Sequence, residues 1–123
     1  NYAWNAAPFV AHSGAAKAGV LNLTRTLALE WARDNIRVNA FCPGVVLTEN
    51  VKKNLMLDEE TAKMFENYIP LGGVTDSSKM AQQVLYLCSP AADVITGDML
   101  IADGGQWLVG NAFYQAGKQF IDE

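Results

Sequence analysis

Along the first third of the chain, apolar residues fall at helical spacing. Val20, Leu23, Leu27 and Trp31 recur on one side, and Leu21, Ala28, Leu29 and Ala32 carry the apolar surface round the cylinder. Ala, Leu, Lys, Arg and Glu dominate and no Pro interrupts, which predicts a long helix over residues 13–34. A helix this widely apolar is expected to be covered on more than one side, one facing a sheet and another a partner subunit. The period then changes. Ile36, Val38, Ala40 and Cys42 recur at every second position, with polar Arg37 and Asn39 between the first three, predicting a strand over residues 35–42 that Pro43-Gly44 stops. Residues 45–57 read as a loop and 58–68 as an amphipathic helix, with Asp58, Glu59 and Glu60 favourable at its N-terminus. Pro70-Leu71-Gly72-Gly73 is a further loop. A helix over residues 76–88 carries apolar Met80, Val84, Leu85 and Leu87 and ends at Ser89-Pro90. A turn over 95–98 leads into a short strand over 99–102 that is expected to be buried, closed by Asp103-Gly104-Gly105. Residues 1–12, broken by Pro8, read as a loop, and the tail to residue 123 as weakly helical.

Strand, helices, strand is a β-α-β arrangement, which implies a parallel pair with a right-handed crossover. Parallel strands sit in sheets covered on both faces, and two strands are too few for a sheet that stands alone. The pattern therefore predicts a chain that docks on further strands. The N-terminal Asn1-Tyr2-Ala3-Trp4, with no initiator Met and no basic n-region, fits a start partway through a longer polypeptide rather than a signal peptide.

Composition narrows the function classes. Half of the 123 residues are hydrophobic and 18% are charged, ordinary proportions for a globular domain. The net charge of −4, with no basic stripe, argues against nucleic acid as a partner. No apolar run reaches the roughly 18 residues of a membrane span. Cys42 and Cys88 are far apart and have no metal-ligating neighbours, so no metal is expected. Two isolated thiols fit a reducing compartment, cytoplasm or mitochondrial matrix. The C-terminal Phe120-Ile121-Asp122-Glu123 is neither a peroxisomal nor a lipidation signal.

Several motifs stand in a suggestive order: Ser13-Gly14-Ala15-Ala16-Lys17-Ala18-Gly19-Val20, Leu23-Thr24-Arg25-Thr26-Leu27-Ala28-Leu29-Glu30, Ile36-Arg37-Val38-Asn39, Pro43-Gly44, Ile95-Thr96-Gly97 and Asp103-Gly104-Gly105. In that order and spacing, over residues 1–110, the chain resembles the short-chain dehydrogenases/reductases. The resemblance implies an α/β fold, the C-terminal part of a doubly wound Rossmann-type parallel sheet. Residues 1–123 would form the C-terminal half of one domain. The Gly-rich turn that holds the cofactor pyrophosphate in that family is not in this sequence, so the chain by itself is expected to be inactive.

In that family a Tyr stands four residues before the catalytic Lys. Lys17 occupies the Lys position, and Ser13 stands where the Tyr would be. A serine hydroxyl is far too weak an acid to replace a phenol. One branch, the 2,4-dienoyl-CoA reductases, to which trans-2-enoyl-CoA reductases are related, resembles this departure, with Ser at that position and the Tyr fifteen residues before the Lys. Here that residue is Tyr2. The resemblance thus implies Tyr2, Ser13 and Lys17 as the catalytic set. Hydride addition to a conjugated thioester pushes charge onto the thioester oxygen, which needs donors aimed at it. A phenol becomes a better acid beside an ammonium ion, and Lys17 would supply that charge and hold the ribose hydroxyls. Residues 13 and 17 share one helix face. The small residues Gly14, Ala15, Ala16, Ala18 and Gly19 permit a ligand or helix to approach closely. The plain readings are a chain-end aromatic for Tyr2, a solvated helix lysine for Lys17 and a helix N-cap for Ser13.

Pro43-Gly44-Val45-Val46-Leu47-Thr48 resembles the family's P-G-x-x-x-T segment. It follows the carboxyl end of a strand, where α/β sheets bind ligands. The resemblance implies cofactor binding by Lys17, Pro43, Gly44, Val45, Val46 and Thr48. Backbone groups at Val45 and Val46 would face the nicotinamide amide, with Thr48 on it or on a phosphate; a simple turn is the plain reading. Residues 47–68 correspond to the family's substrate loop. Lys52 and Lys53 are either contacts for CoA phosphates or a solvated pair. Trp4, Phe9, Met56, Met64 and Phe65 suit an acyl pocket or core packing, and His12 is a spacer. The resemblance favours NADP, with NAD as the alternative. The function it implies is reduction of an unsaturated fatty acyl-CoA thioester in a homo-oligomer, a dimer or tetramer. The alternatives are an ordinary ketone or alcohol oxidoreductase and a non-catalytic oligomerising member.

Overall fold

The computed structural model describes residues 9–46, 48, 63, 67–73 and 76–109. The chain divides into two compact units. One comprises Asn1–Pro43 with Ser78–Ala102, the other Gly44–Ser77 with Asp103–Glu123.

In the first unit, helix α1 spans Ala11–Trp31. It begins two residues before the expected start, because the Gly14 N–H donates to the Val10 carbonyl at 2.9 Å and closes the first turn there. Val10 is therefore the N-cap and makes no side-chain cap bond. Ser13 lies inside the first turn, which corrects the N-cap reading. After Trp31 the chain tightens into a 3₁₀ turn, Ala32–Asp34. Asn35 then takes a left-handed conformation, φ 60°, and its N–H donates to the Ala32 carbonyl at 3.0 Å. Asn tolerates this conformation better than most residues and often ends helices in it.

That stop corrects the expected strand over residues 35–42. The ladder itself is β1, Ala40–Pro43. Upstream of it the chain is bonded to the turn over residues 95–98 rather than to a strand. The Gly97 N–H donates to the Val38 carbonyl at 2.7 Å, and the Ala40 N–H to the Asp98 carbonyl at 2.8 Å. The Val38 N–H donates to the Thr96 hydroxyl at 3.1 Å. The Asn39 carboxamide bonds at both ends: Nδ2 donates to the Ile95 carbonyl at 2.8 Å, and Oδ1 accepts from the Asp98 N–H at 3.1 Å. This clamp sets the register of a parallel pair. Strand β2, Met99–Ala102, lies beside β1 with Ala40 opposite Met99 and Pro43 opposite Ala102, and its four residues are half-buried, which corrects the expectation of a buried strand. Pro43 has no N–H to give, and it comes last in the ladder.

Helix α2 spans Ser77–Cys88. The Ser89 hydroxyl donates to the Tyr86 carbonyl at 2.8 Å, and Pro90 opens a 3₁₀ turn, Pro90–Ala92. Ala28 and Ala92 are buried, as is Thr24, whose hydroxyl donates to the Val20 carbonyl at 2.9 Å. A buried hydroxyl bonded back into its own helix is satisfied without a distant partner. Apolar residues of α1 stand open to solvent: Val20 and Leu23 are each 54% exposed and Leu29 is 82% exposed.

In the second unit, Ile69, Asp103 and Val109 are buried. A 3₁₀ turn, Gln106–Leu108, opens the tail. Of the expected helix over residues 58–68, Lys63 and Asn67 are helical and Tyr68 is in a turn. Its other residues lie outside those described.

Candidate active site

Two groups of expected site residues fall in the two units. In the first, α1 carries Ser13 and Lys17 one turn apart, so the i, i+4 pairing read from the sequence is present on a regular helix. Ser13 is half-buried, while Lys17 and His12 are exposed. Phe9, expected in a pocket or the core, is 99% exposed, which corrects the core reading. Tyr2 lies outside the described residues, as do Trp4, Lys52, Lys53, Met56, Met64 and Phe65.

The second group follows β1. Pro43 ends the strand, and Gly44, Val45 and Val46 continue from it, each half-buried. The Thr48 N–H donates to the Val46 carbonyl at 3.0 Å, which curls the segment, and Thr48 is exposed. Gly44 owes its place to a neighbour. A Cβ there would fall 2.7 Å from Asp103 Cα and 2.9 Å from Asp103 Cβ. Two stretches of backbone meet at this point, and only glycine leaves them room.

Asp103 is 4% exposed and bonds through both carboxylate oxygens. Oδ1 accepts from the Gly105 N–H and Oδ2 from the Trp107 N–H, each at 2.9 Å. Its carbonyl accepts from the Gln106 N–H at 3.2 Å. The far side of this turn rests on residues 69–71. The Leu71 N–H donates to the Gly104 carbonyl at 3.1 Å. A Cβ on Gly104 would lie 2.6 Å from Ile69 Cγ2, and one on Gly105 would lie 3.2 Å from Pro70 Cγ. From sequence, Asp103-Gly104-Gly105 reads as the close of a strand and as one of the motifs shared with the family, with no role for the Asp side chain. An Asp two residues before a Gly is a side-chain-to-backbone turn signature, and that signal could have singled it out. Asn39 likewise reads from sequence as a polar strand position within the motif Ile36-Arg37-Val38-Asn39.

Comparison with known proteins places this geometry. A family profile described as enoyl-(acyl carrier protein) reductase matches residues 2–106. The chain belongs to the short-chain dehydrogenase/reductase family. It is 44% identical over 108 residues to a probable 2,4-dienoyl-CoA reductase of Bacillus subtilis, covering 87% of this chain and 42% of that protein. It is 41% identical over 100 residues to a tropinone reductase homolog of Arabidopsis thaliana, covering 81% of this chain and 37% of that one. The chain thus spans about two fifths of the length of the curated relatives it matches.

Among solved structures, a short-chain dehydrogenase from Bacillus anthracis superposes with a TM-score of 0.75 at 44% identity, covering 89% of this chain and 42% of that one. A gluconate 5-dehydrogenase from Burkholderia cenocepacia, in complex with NADP and tartrate, superposes with a TM-score of 0.78 at 28% identity, over 87% of this chain and 42% of that one. The α/β class and the parallel pairing expected from the sequence are those of this family's fold. Among the described residues no helix is long and apolar enough to cross a membrane.

Proposed function

We propose that the chain is the C-terminal half of a Rossmann-type domain in a reductase of unsaturated acyl-CoA thioesters that uses NADP, with NAD as the alternative. The observation that carries the reading is the pair on α1: Lys17 is present, and the position one turn before it holds Ser13 in place of the family's Tyr. Similarity to the Bacillus subtilis protein, a probable 2,4-dienoyl-CoA reductase, supports the same branch.

The residues present fit the nicotinamide end of a dinucleotide. The segment after β1 leaves the carboxyl end of a parallel strand, where α/β sheets bind ligands. Pressed against Asp103 at Gly44, it has a fixed backbone to offer. Pro43, Gly44, Val45 and Val46 would hold the carboxamide side, Thr48 the amide or a phosphate, and Lys17 the ribose hydroxyls. A bound nicotinamide dinucleotide supplies the hydride. Tyr2 would give its proton to the thioester oxygen as hydride adds to the conjugated carbon, and the enol so formed would shift that proton to carbon through water, completing the reduction. The Lys17 ammonium stabilises the phenolate side of that transfer, and the Ser13 hydroxyl donates to the same oxygen. The Gly-rich half that would hold the pyrophosphate belongs to the same domain in this reading. The apolar residues exposed on α1 pair with a second copy, giving a dimer or tetramer.

A second reading is a ketone or alcohol oxidoreductase with its acid relocated, and similarity to the tropinone reductase homolog favours it. Oxidation of NADPH by the full-length protein separates the two. The first reading expects turnover with a 2,4-dienoyl-CoA or trans-2-enoyl-CoA and little with a ketone. Turnover with ketones alone removes it.

A further inference from the structure

Asp103 is the only charged residue buried among those described, and it has no part in the chemistry proposed above. A carboxylate is costly to take out of water unless its oxygens are bonded. Here both are occupied by the N–H groups of Gly105 and Trp107, so one side chain locks the turn around itself. The outside of that turn touches two other stretches of the same unit. On one side its Cα stands where a Gly44 side chain would be; on the other, Gly104 and Gly105 meet Ile69 and Pro70, and the Gly104 carbonyl accepts the Leu71 N–H. The contact with Gly44 is backbone against backbone, so no rotamer change relieves it.

We propose that Asp103 is a positioning residue: the turn it locks fixes the backbone of residues 44–46 for the nicotinamide and sets residues 69–71, where the substrate loop ends, in a constant relation to it. This rests on the reading that Val45 and Val46 face the nicotinamide. Asp103 itself touches no reacting atom. It acts through Gly44, and its effect falls on the nicotinamide end of the cofactor rather than the adenosine end.

The test uses the full-length protein and Asp103→Asn, which keeps the shape but turns one acceptor oxygen into a donor facing an N–H. Binding of NADPH and of adenosine 2′,5′-bisphosphate, which lacks the nicotinamide, is measured for each variant. The expected result is a roughly tenfold loss of NADPH affinity, the scale of one hydrogen bond to a charged group, with the bisphosphate bound as before. Equal losses for both ligands mark a merely structural residue and overturn the proposal, as does no loss for either.

Val46→Pro, which removes one backbone donor, checks the reading beneath it. NADPH binding weakened by Val46→Pro but not by Asp103→Asn defeats this inference alone. Binding indifferent to Val46→Pro defeats the nicotinamide placement and this inference with it. Should Asp103→Asn fail to fold, amide exchange in the unaltered protein decides. The Gly105 and Trp107 amides should exchange more slowly with NADPH than with the bisphosphate, and identical exchange overturns the proposal.

Discussion

At the scale of single residues, the site divides into positions that the sequence explains and positions that only packing explains. Ser13 and Lys17 are legible because their relation is fixed by helix pitch, and α1 runs through both. If Tyr2 supplies the acid, Tyr2→Phe in the full-length protein removes one oxyanion donor. Turnover of a dienoyl-CoA should then fall by roughly 10²–10³, and an unchanged kcat shows that the phenol is not the acid. Gly44 was legible as a turn residue, but the reason for it was not. Its requirement comes from Asp103, far along the chain, and no local pattern encodes a contact between distant backbones. Gly44→Ala places a methyl 2.7 Å from Asp103 Cα, which cannot move as a side-chain tip could. It should destabilise the folded protein by about 1–3 kcal/mol, the usual cost of overpacking, read as a lower denaturation midpoint in urea. A midpoint equal to that of the unaltered protein would mean that the two stretches separate easily.

Elements were more legible in kind than in extent. The two helices stand close to where periodicity put them, and the strand Met99–Ala102 stands where its short apolar run put it. The first strand did not begin at residue 35. Alternation of Ile36, Val38, Ala40 and Cys42 reports an extended chain but not what that chain is bonded to. Residues 37–39 direct their polar groups to the turn over residues 95–98, and Asn39 bridges it from Ile95 to Asp98. That makes Asn39 the element-scale determinant of register. Asn39→Ala should cost about 1–3 kcal/mol, since it removes two hydrogen bonds of about 0.5–1.5 kcal/mol each and leaves the Ile95 carbonyl only the Arg37 guanidinium at 3.4 Å. The Asp98 amide should exchange faster by hydrogen exchange, while an amide inside α2 keeps its protection relative to global unfolding. If the Asp98 amide alone is unaffected, the carboxamide is not the clamp.

For the whole molecule, the decisive fact is how much apolar surface the chain leaves uncovered. At about 100° per residue, Leu23 and Leu29 lie about 120° apart around α1, and both are more than half exposed. Neither a single sheet nor a single neighbouring helix covers both directions. The reading with a Gly-rich half and a second copy supplies two covers, and it makes separable demands. The chain alone should bind a hydrophobic dye and oxidise no NADPH, whereas the full-length protein should do the reverse. Light scattering of the full-length protein should give a dimer or tetramer, and a monomer at dilution to micromolar concentration contradicts the pairing. A charge buried without a partner is strongly disfavoured, so Leu23→Glu and Leu29→Glu report which direction meets the second copy. The variant on that side should lower the molar mass while keeping the helical circular dichroism of the unaltered protein. The variant on the other side, buried within its own domain, should lose that signal at lower temperature. If both keep the full assembly and the full thermal stability, α1 faces solvent on both sides and the exposed apolar surface has no cover to find.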